Sequence, residues 1–149
     1  MKKVLMILFV GIISIGFISG CGKKTKEAIT ADQFNERIGS NYKLVDYTKN
    51  IGYAKKAYFY DSEGIYFYFY EGNRSFDMGN IYIDEVNNAA NELFNKEDSI
   101  DKGDNYSSVT MYNDETYYRI AYVDNTLLYV RARKDYKDRA DDIFNKCGY

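Results

Sequence analysis

The six residues Ile65-Tyr66-Phe67-Tyr68-Phe69-Tyr70 alternate strictly, with Ile65, Phe67 and Phe69 on one side and Tyr66, Tyr68 and Tyr70 on the other. Successive side chains of a β-strand point to opposite faces, so extended backbone sorts this stretch into two clean surfaces. A helix would scatter the same large side chains around its circumference. The apolar face has to be covered. The tyrosine face has polar tips, so it can be wet or can lie beneath a helix. A sheet therefore has to be the centre of the fold.

The remaining segments supply its partners. Thr30 and Gln33 fit a capping box, flanked by Ile29 and Phe34 as a hydrophobic staple. Phe34 and Ile38 share a face before Gly39, which predicts a helix over 31–38. Period-two patterning predicts strands at 42–48 and 53–60, the second joined to 65–70 by the turn Asp61-Ser62-Glu63-Gly64. Met78, Tyr82, Val86, Ala89, Ala90, Leu93 and Phe94 recur at three- and four-residue steps, behind a cap at Ser75 or Asp77. Residues 96–105 read as a polar, acidic loop. Strands are predicted at 106–112, 116–123 and 127–133, with turns at Asn113-Asp114-Glu115 and Asp124-Asn125. A two-residue turn at Asp124-Asn125 would place Arg119 opposite Val130. A three-residue turn sets Tyr118, Ile120 and Tyr122 opposite Ala132, Val130 and Leu128, a more apolar face and the expected register. A last helix over 136–146 aligns Tyr136, Ala140, Ile143, Phe144 and Cys147, with Asp135 as cap and Gly148 as stop.

The expected fold class is α+β: an antiparallel sheet of about six strands, with helices packed mainly on one face. The element order α-βββ-α-βββ-α repeats a helix and a meander over 30–71 and 75–133, a weak sign of duplication. That order loosely resembles the small α/β sandwiches of the photosystem PsbP type, and more loosely cystatin- or NTF2-like folds. The likeness implies no function.

Composition removes several chemistries. Histidine is absent, which excludes imidazole metal ligands and Ser–His or Cys–His nucleophile systems. The two cysteines, Cys21 and Cys147, are too few for a cysteine-rich zinc site. The formal net charge is −2, so nucleic acid is not an expected partner. Abundant Asn, Lys, Ile and Tyr fits AT-rich codons and a Gram-positive source.

Few residues are candidates for chemistry. Cys147 falls on the apolar side of the last helix, where a free cysteine behaves as a small hydrophobe. Asp98, Asp101, Asp104 and Asn105 surround Gly103 and have oxygen ligands suited to Ca²⁺, but their spacing is not the twelve-residue calcium loop. A solvated loop is the simpler reading, and no metal is expected. Asp138, Asp141 and Asp142 sit where a helix N-terminus favours negative charge. Tyr66, Tyr68 and Tyr70, with Arg131 and Arg133 if their strands are neighbours, are the candidate binding face, since tyrosine joins apolar area to a hydroxyl. No catalytic residue is assigned. Paired carboxylates could hydrolyse glycosides without histidine, and a small carboxylate hydrolase acting on envelope glycan is the alternative enzymatic reading.

The N-terminus carries the clearest signal. Lys2 and Lys3 precede an apolar run of 15 residues, Val4 to Ile18, interrupted by Gly11 and Gly16. That is shorter than the ~20 residues a spanning helix needs and has the layout of an export signal. Ile18-Ser19-Gly20-Cys21 resembles the lipobox of bacterial lipoproteins. The resemblance implies cleavage between Gly20 and Cys21 and a diacylglyceryl group on the Cys21 thiol. It implies attachment to the extracytoplasmic face of the cell membrane. On that reading residues 1–20 are the signal peptide, 21–28 a lipidated cysteine and flexible tether, and 29–149 one domain. Only Cys147 would then remain as a thiol, and no intramolecular disulfide could form. The expected function is a non-catalytic binding or interaction module at the cell envelope, engaging a protein, peptide or glycan. An accessory subunit of an envelope complex is a further alternative. No cofactor is expected beyond the covalent lipid.

Overall fold

The fold starts where the capping chemistry places it. In the computed structural model, which describes residues 24–73, 77–93 and 97–149, Thr30 caps helix α1 (Ala31–Ile38). The Gln33 amide donates to Thr30 Oγ1 at 3.2 Å, and the Thr30 amide donates to Gln33 Oε1 at 2.8 Å. Both halves of the box therefore satisfy helix-end donors. The strands that follow are β1 (Val45–Asp46), β2 (Ala54–Ser62) and β3 (Ile65–Gly72). Helix α2 (Met78–Glu92) is capped by Asp77, whose Oδ1 accepts from the Gly79 amide at 2.9 Å. Then come β4 (Glu97–Lys102), β5 (Tyr106–Tyr112), β6 (Thr116–Val123), β7 (Thr126–Arg133) and helix α3 (Lys137–Cys147). Of the predicted features, the leader, Cys21, the alternative cap Ser75 and the stripe residue Phe94 lie outside the described residues.

The described strands form one antiparallel sheet of seven, in the order β1-β2-β3-β7-β6-β5-β4. The strand beyond the expected six is β4, in the segment predicted to be an acidic loop. From Asp98 to Lys102 every side chain is exposed, so no burial pattern marks it. Its backbone pairing with β5 makes it a strand, and its charges suit an unprotected sheet edge. At the opposite edge the strand expected over 42–48 shrinks to two residues. Tyr42 turns inward against Tyr60 and Phe67, and the Thr48 amide donates to Asp46 Oδ1 at 3.0 Å, a side-chain turn that ends the pairing.

The two sheet faces carry separate cores. Ile65, Phe67 and Phe69 pack with Phe34, Ile38, Val130, Ile143 and Phe144, so α1 and α3 cover that face. Tyr68 and Tyr70 pack with Met78, Tyr82, Ile120 and Tyr129 on the opposite face, under α2. Two of the three described helices thus share a face, and the middle one departs from a one-face arrangement. The strict alternation of β3 is therefore buried on both sides.

The β6–β7 register corrects the sequence expectation. Ala121 pairs with Leu128 and Arg119 with Val130 across a two-residue turn, and Asp124 takes the left-handed conformation at φ 49°. Aspartate tolerates that conformation better than most residues. Arg119 is accommodated on the core face because its guanidinium lies 4.5 Å from the Phe144 ring centroid and donates to Asp141 at 3.0 Å. Helix α3 lacks the predicted Asp135 cap, since Asp135 accepts from Arg133 instead. The helix does end at Gly148, in the left-handed region at φ 79°.

Candidate binding cleft

Strands β3 and β7 are immediate neighbours, with Tyr66 paired to Arg131 and Ile65 to Ala132. The tyrosine strand and the arginine strand therefore do meet. At their outer end the β2–β3 turn folds over through Gly64, whose φ of 87° suits glycine. A Cβ there would stand 2.7 Å from the Tyr136 ring. The Arg133 amide donates to the Gly64 carbonyl at 2.8 Å, closing the end of the sheet. Between turn and strand lies a cavity of about 310 Å³, lined by Asp61, Ser62, Gly64, Ile65, Tyr66, Arg131, Ala132 and Arg133.

The predicted binding residues divide here. Tyr66, Arg131 and Arg133 line the cleft. Tyr68 and Tyr70 do not; they are buried, stacked on each other at 4.6 Å, and Tyr68 stacks on Tyr129 at 4.5 Å. Burial raises the pKa of both hydroxyls well above the ordinary tyrosine value, which keeps them neutral. An open three-tyrosine platform therefore does not form, because α2 and its flanking side chains cover that face.

Tyr66, Arg131 and Arg133 each have a partner. The Tyr66 hydroxyl hydrogen-bonds to that of Tyr129 at 3.0 Å. Arg131 Nε donates to the Tyr118 hydroxyl at 2.8 Å and lies 3.5 Å from Glu92 Oε2, while Tyr118 donates to the same carboxylate. Burial, with the Glu92 bond, pushes the Tyr118 pKa up to about 12. Arg133 is clamped by Asp135 at 3.1 and 2.5 Å. The arrangement offers hydroxyl and guanidinium donors beside carboxylates already engaged, which suits recognition of a polar ligand by partner exchange. Glu92, Tyr118 and Tyr129 escaped the sequence reading. Tyr129 shares the Arg131 face of β7 two residues away, a signal that alternation carries; nothing local marks Glu92.

The other candidates settle into structural roles. Cys147 is fully buried, and burial pushes its thiol pKa up to about 12. Asp98 and Asp101 stand on β4, and among the described residues no group of three or more His, Cys, Asp or Glu is arranged to hold a metal ion. Asp141, treated in the sequence only as a helix-end charge, accepts from Tyr117 at 2.6 Å, Arg119 at 3.0 Å and Lys137 at 2.6 Å. Burial favours its neutral form, but these donors outweigh it and hold the carboxyl below its usual value. No described helix is long and apolar enough to cross a membrane.

No family model and no curated protein matches the chain. Among solved structures it is similar to the crystal structure of a GTP binding regulator from Thermotoga maritima. The identity is 12% and the TM-score 0.46, over 80% of this chain and 88% of that one. A likeness of that depth carries no inference about function.

Proposed function

We propose that this chain is an exported lipoprotein, tethered to the extracytoplasmic face of the cell membrane by a diacylglyceryl group on Cys21. The observation that carries the reading is the leader itself: Lys2 and Lys3, a 15-residue apolar run, then Ile18-Ser19-Gly20-Cys21. The domain beyond it is a non-catalytic binding module for a protein, peptide or glycan of the envelope. Its recognition site is the cleft of Tyr66, Arg131 and Arg133, where a half-buried hydroxyl and two guanidinium groups line one cavity.

The anchor is tested by feeding labelled fatty acid to cells producing the full chain or its Cys21→Ala variant. Label in the parent and none in the variant is the expected result. Equal label in both overturns the assignment of Cys21.

A further inference from the structure

Residues 24–28 were expected to be a flexible leash, yet the structure holds them as a strap. The Asp104 amide donates to the Lys24 carbonyl at 2.9 Å. The Lys26 amide donates to Asn105 Oδ1 at 3.0 Å, and Asn105 Nδ2 returns a bond to the Lys26 carbonyl at 2.8 Å. The Lys24 ammonium pairs with Asp101, and that of Lys26 lies 4.6 Å from the Tyr106 ring centroid. Ile29 then enters the core, 3% exposed. Gly103 is shaped to this contact, because a Cβ there would stand 2.0 Å from the Lys24 carbonyl oxygen. Any larger residue would have to displace both the strap and the Tyr106 ring, 2.3 Å from the same Cβ.

The strap docks at one end of the sheet only. The Asp124 amide donates to the Asn105 carbonyl at 2.9 Å and the Gly72 amide to the Asn125 carbonyl at 2.8 Å. The turns at 103–105 and 124–125 and the end of β3 therefore cluster around it. Cys21 precedes Lys24 by three residues, a span of at most about 11 Å even when fully extended. The cleft lies at the other end of β3, and eight strand residues separate the ends by roughly 25 Å.

We infer that the end formed by the 103–105 and 124–125 turns is a membrane-facing surface, held at the lipid headgroups by the docked strap, with the Tyr66–Arg131 cleft pointing outward. This rests on the lipoprotein reading of Cys21. A cleft so placed takes its ligand from the wall or the surroundings and not from the bilayer.

The test uses the full chain, produced in a host that lipidates exported proteins. It carries a donor dye on Asp104→Cys or on Asp114→Cys, both exposed positions at opposite ends. The labelled protein is reconstituted in phosphatidylglycerol vesicles containing an acceptor-labelled lipid, and acyl content is measured by mass on the same samples. Clearly stronger energy transfer from position 104 than from 114 is expected. Gly103→Ala should shrink that difference by displacing the strap. Asn105→Ala, which removes both side-chain bonds to Lys26 without crowding, should shrink it less. Equal or reversed transfer in acylated parent protein overturns the orientation and leaves the anchor standing. Absence of acyl chains on Cys21 overturns both.

Discussion

The Arg119 guanidinium lies 4.5 Å from the Phe144 ring centroid, on the face of the sheet that otherwise holds the main apolar core. The charge is tolerated because Asp141 accepts from it at 3.0 Å while also accepting from Tyr117 and Lys137. Removing the carboxylate would leave a largely buried guanidinium and a buried phenol without their acceptor. Asp141→Ala should therefore destabilise the domain by about 1–3 kcal/mol in urea unfolding. A change within experimental error would mean that solvent replaces the carboxylate freely.

The tyrosines of β3 should respond unequally to substitution. Tyr68 is stacked between Tyr70 and Tyr129 in the α2-side core, so Tyr68→Ala should cost about 3–5 kcal/mol. Tyr66→Phe removes one hydroxyl contact and should cost about 1 kcal/mol or less. Capture of an envelope ligand should fall with Tyr66→Phe and Arg131→Ala, in proteins shown by circular dichroism to be folded. Equal stability losses at positions 66 and 68 would contradict the division between cleft and core.

Cys147 should be chemically silent while the domain is folded. With its thiol pushed up to about 12 by burial, roughly one molecule in ten thousand is thiolate at pH 8. A thiol reagent should modify Cys147 at a rate that tracks unfolding, rising steeply in denaturant. Rapid stoichiometric modification of the native protein would show that the α3 face is open.

Acid should loosen the strap before the core. The bond from Lys24 holds the Asp101 carboxyl below its ordinary value, and the same bond raises the pKa of Lys24. A depressed carboxylate contributes stability above its unfolded value of about 3.9 and loses it as the pH falls through the lower folded value. The raised Lys24 value acts only at alkaline pH, so the neutral range should be flat. Amide resonances of Lys26 and Asp104 should shift below about pH 4 while those of Phe67 and Phe69 in the middle of β3 stay fixed. No movement of those two amides down to pH 2 would contradict the coupling of the ion pair to strap docking.

What the sequence revealed and what it hid follow from where information is stored. The cap at Thr30, the strand at 65–70 and the stop at Gly148 are written in local residue chemistry and recur in the structure. The cleft was half legible. Alternation put Tyr66 and Arg131 on their strands, but the β3–β7 pairing that joins them is non-local. Strand β4 was invisible because an edge strand with five successive exposed side chains leaves no hydrophobic period. The β6–β7 register was misread because apolar matching ignores a charge that a distant helix satisfies. Arg119 is acceptable on that face only because α3 brings Asp141 and Phe144 to it.

The central claim is that this domain is delivered to a membrane surface by chemistry at Cys21. Intact mass of the protein extracted from the membranes of producing cells tests it most directly. The account predicts a chain beginning at Cys21, 20 residues shorter than the full 149 and heavier than that peptide by a diacylglyceryl group. An unmodified chain, or one that retains Met1 or is cut at another bond, would contradict it.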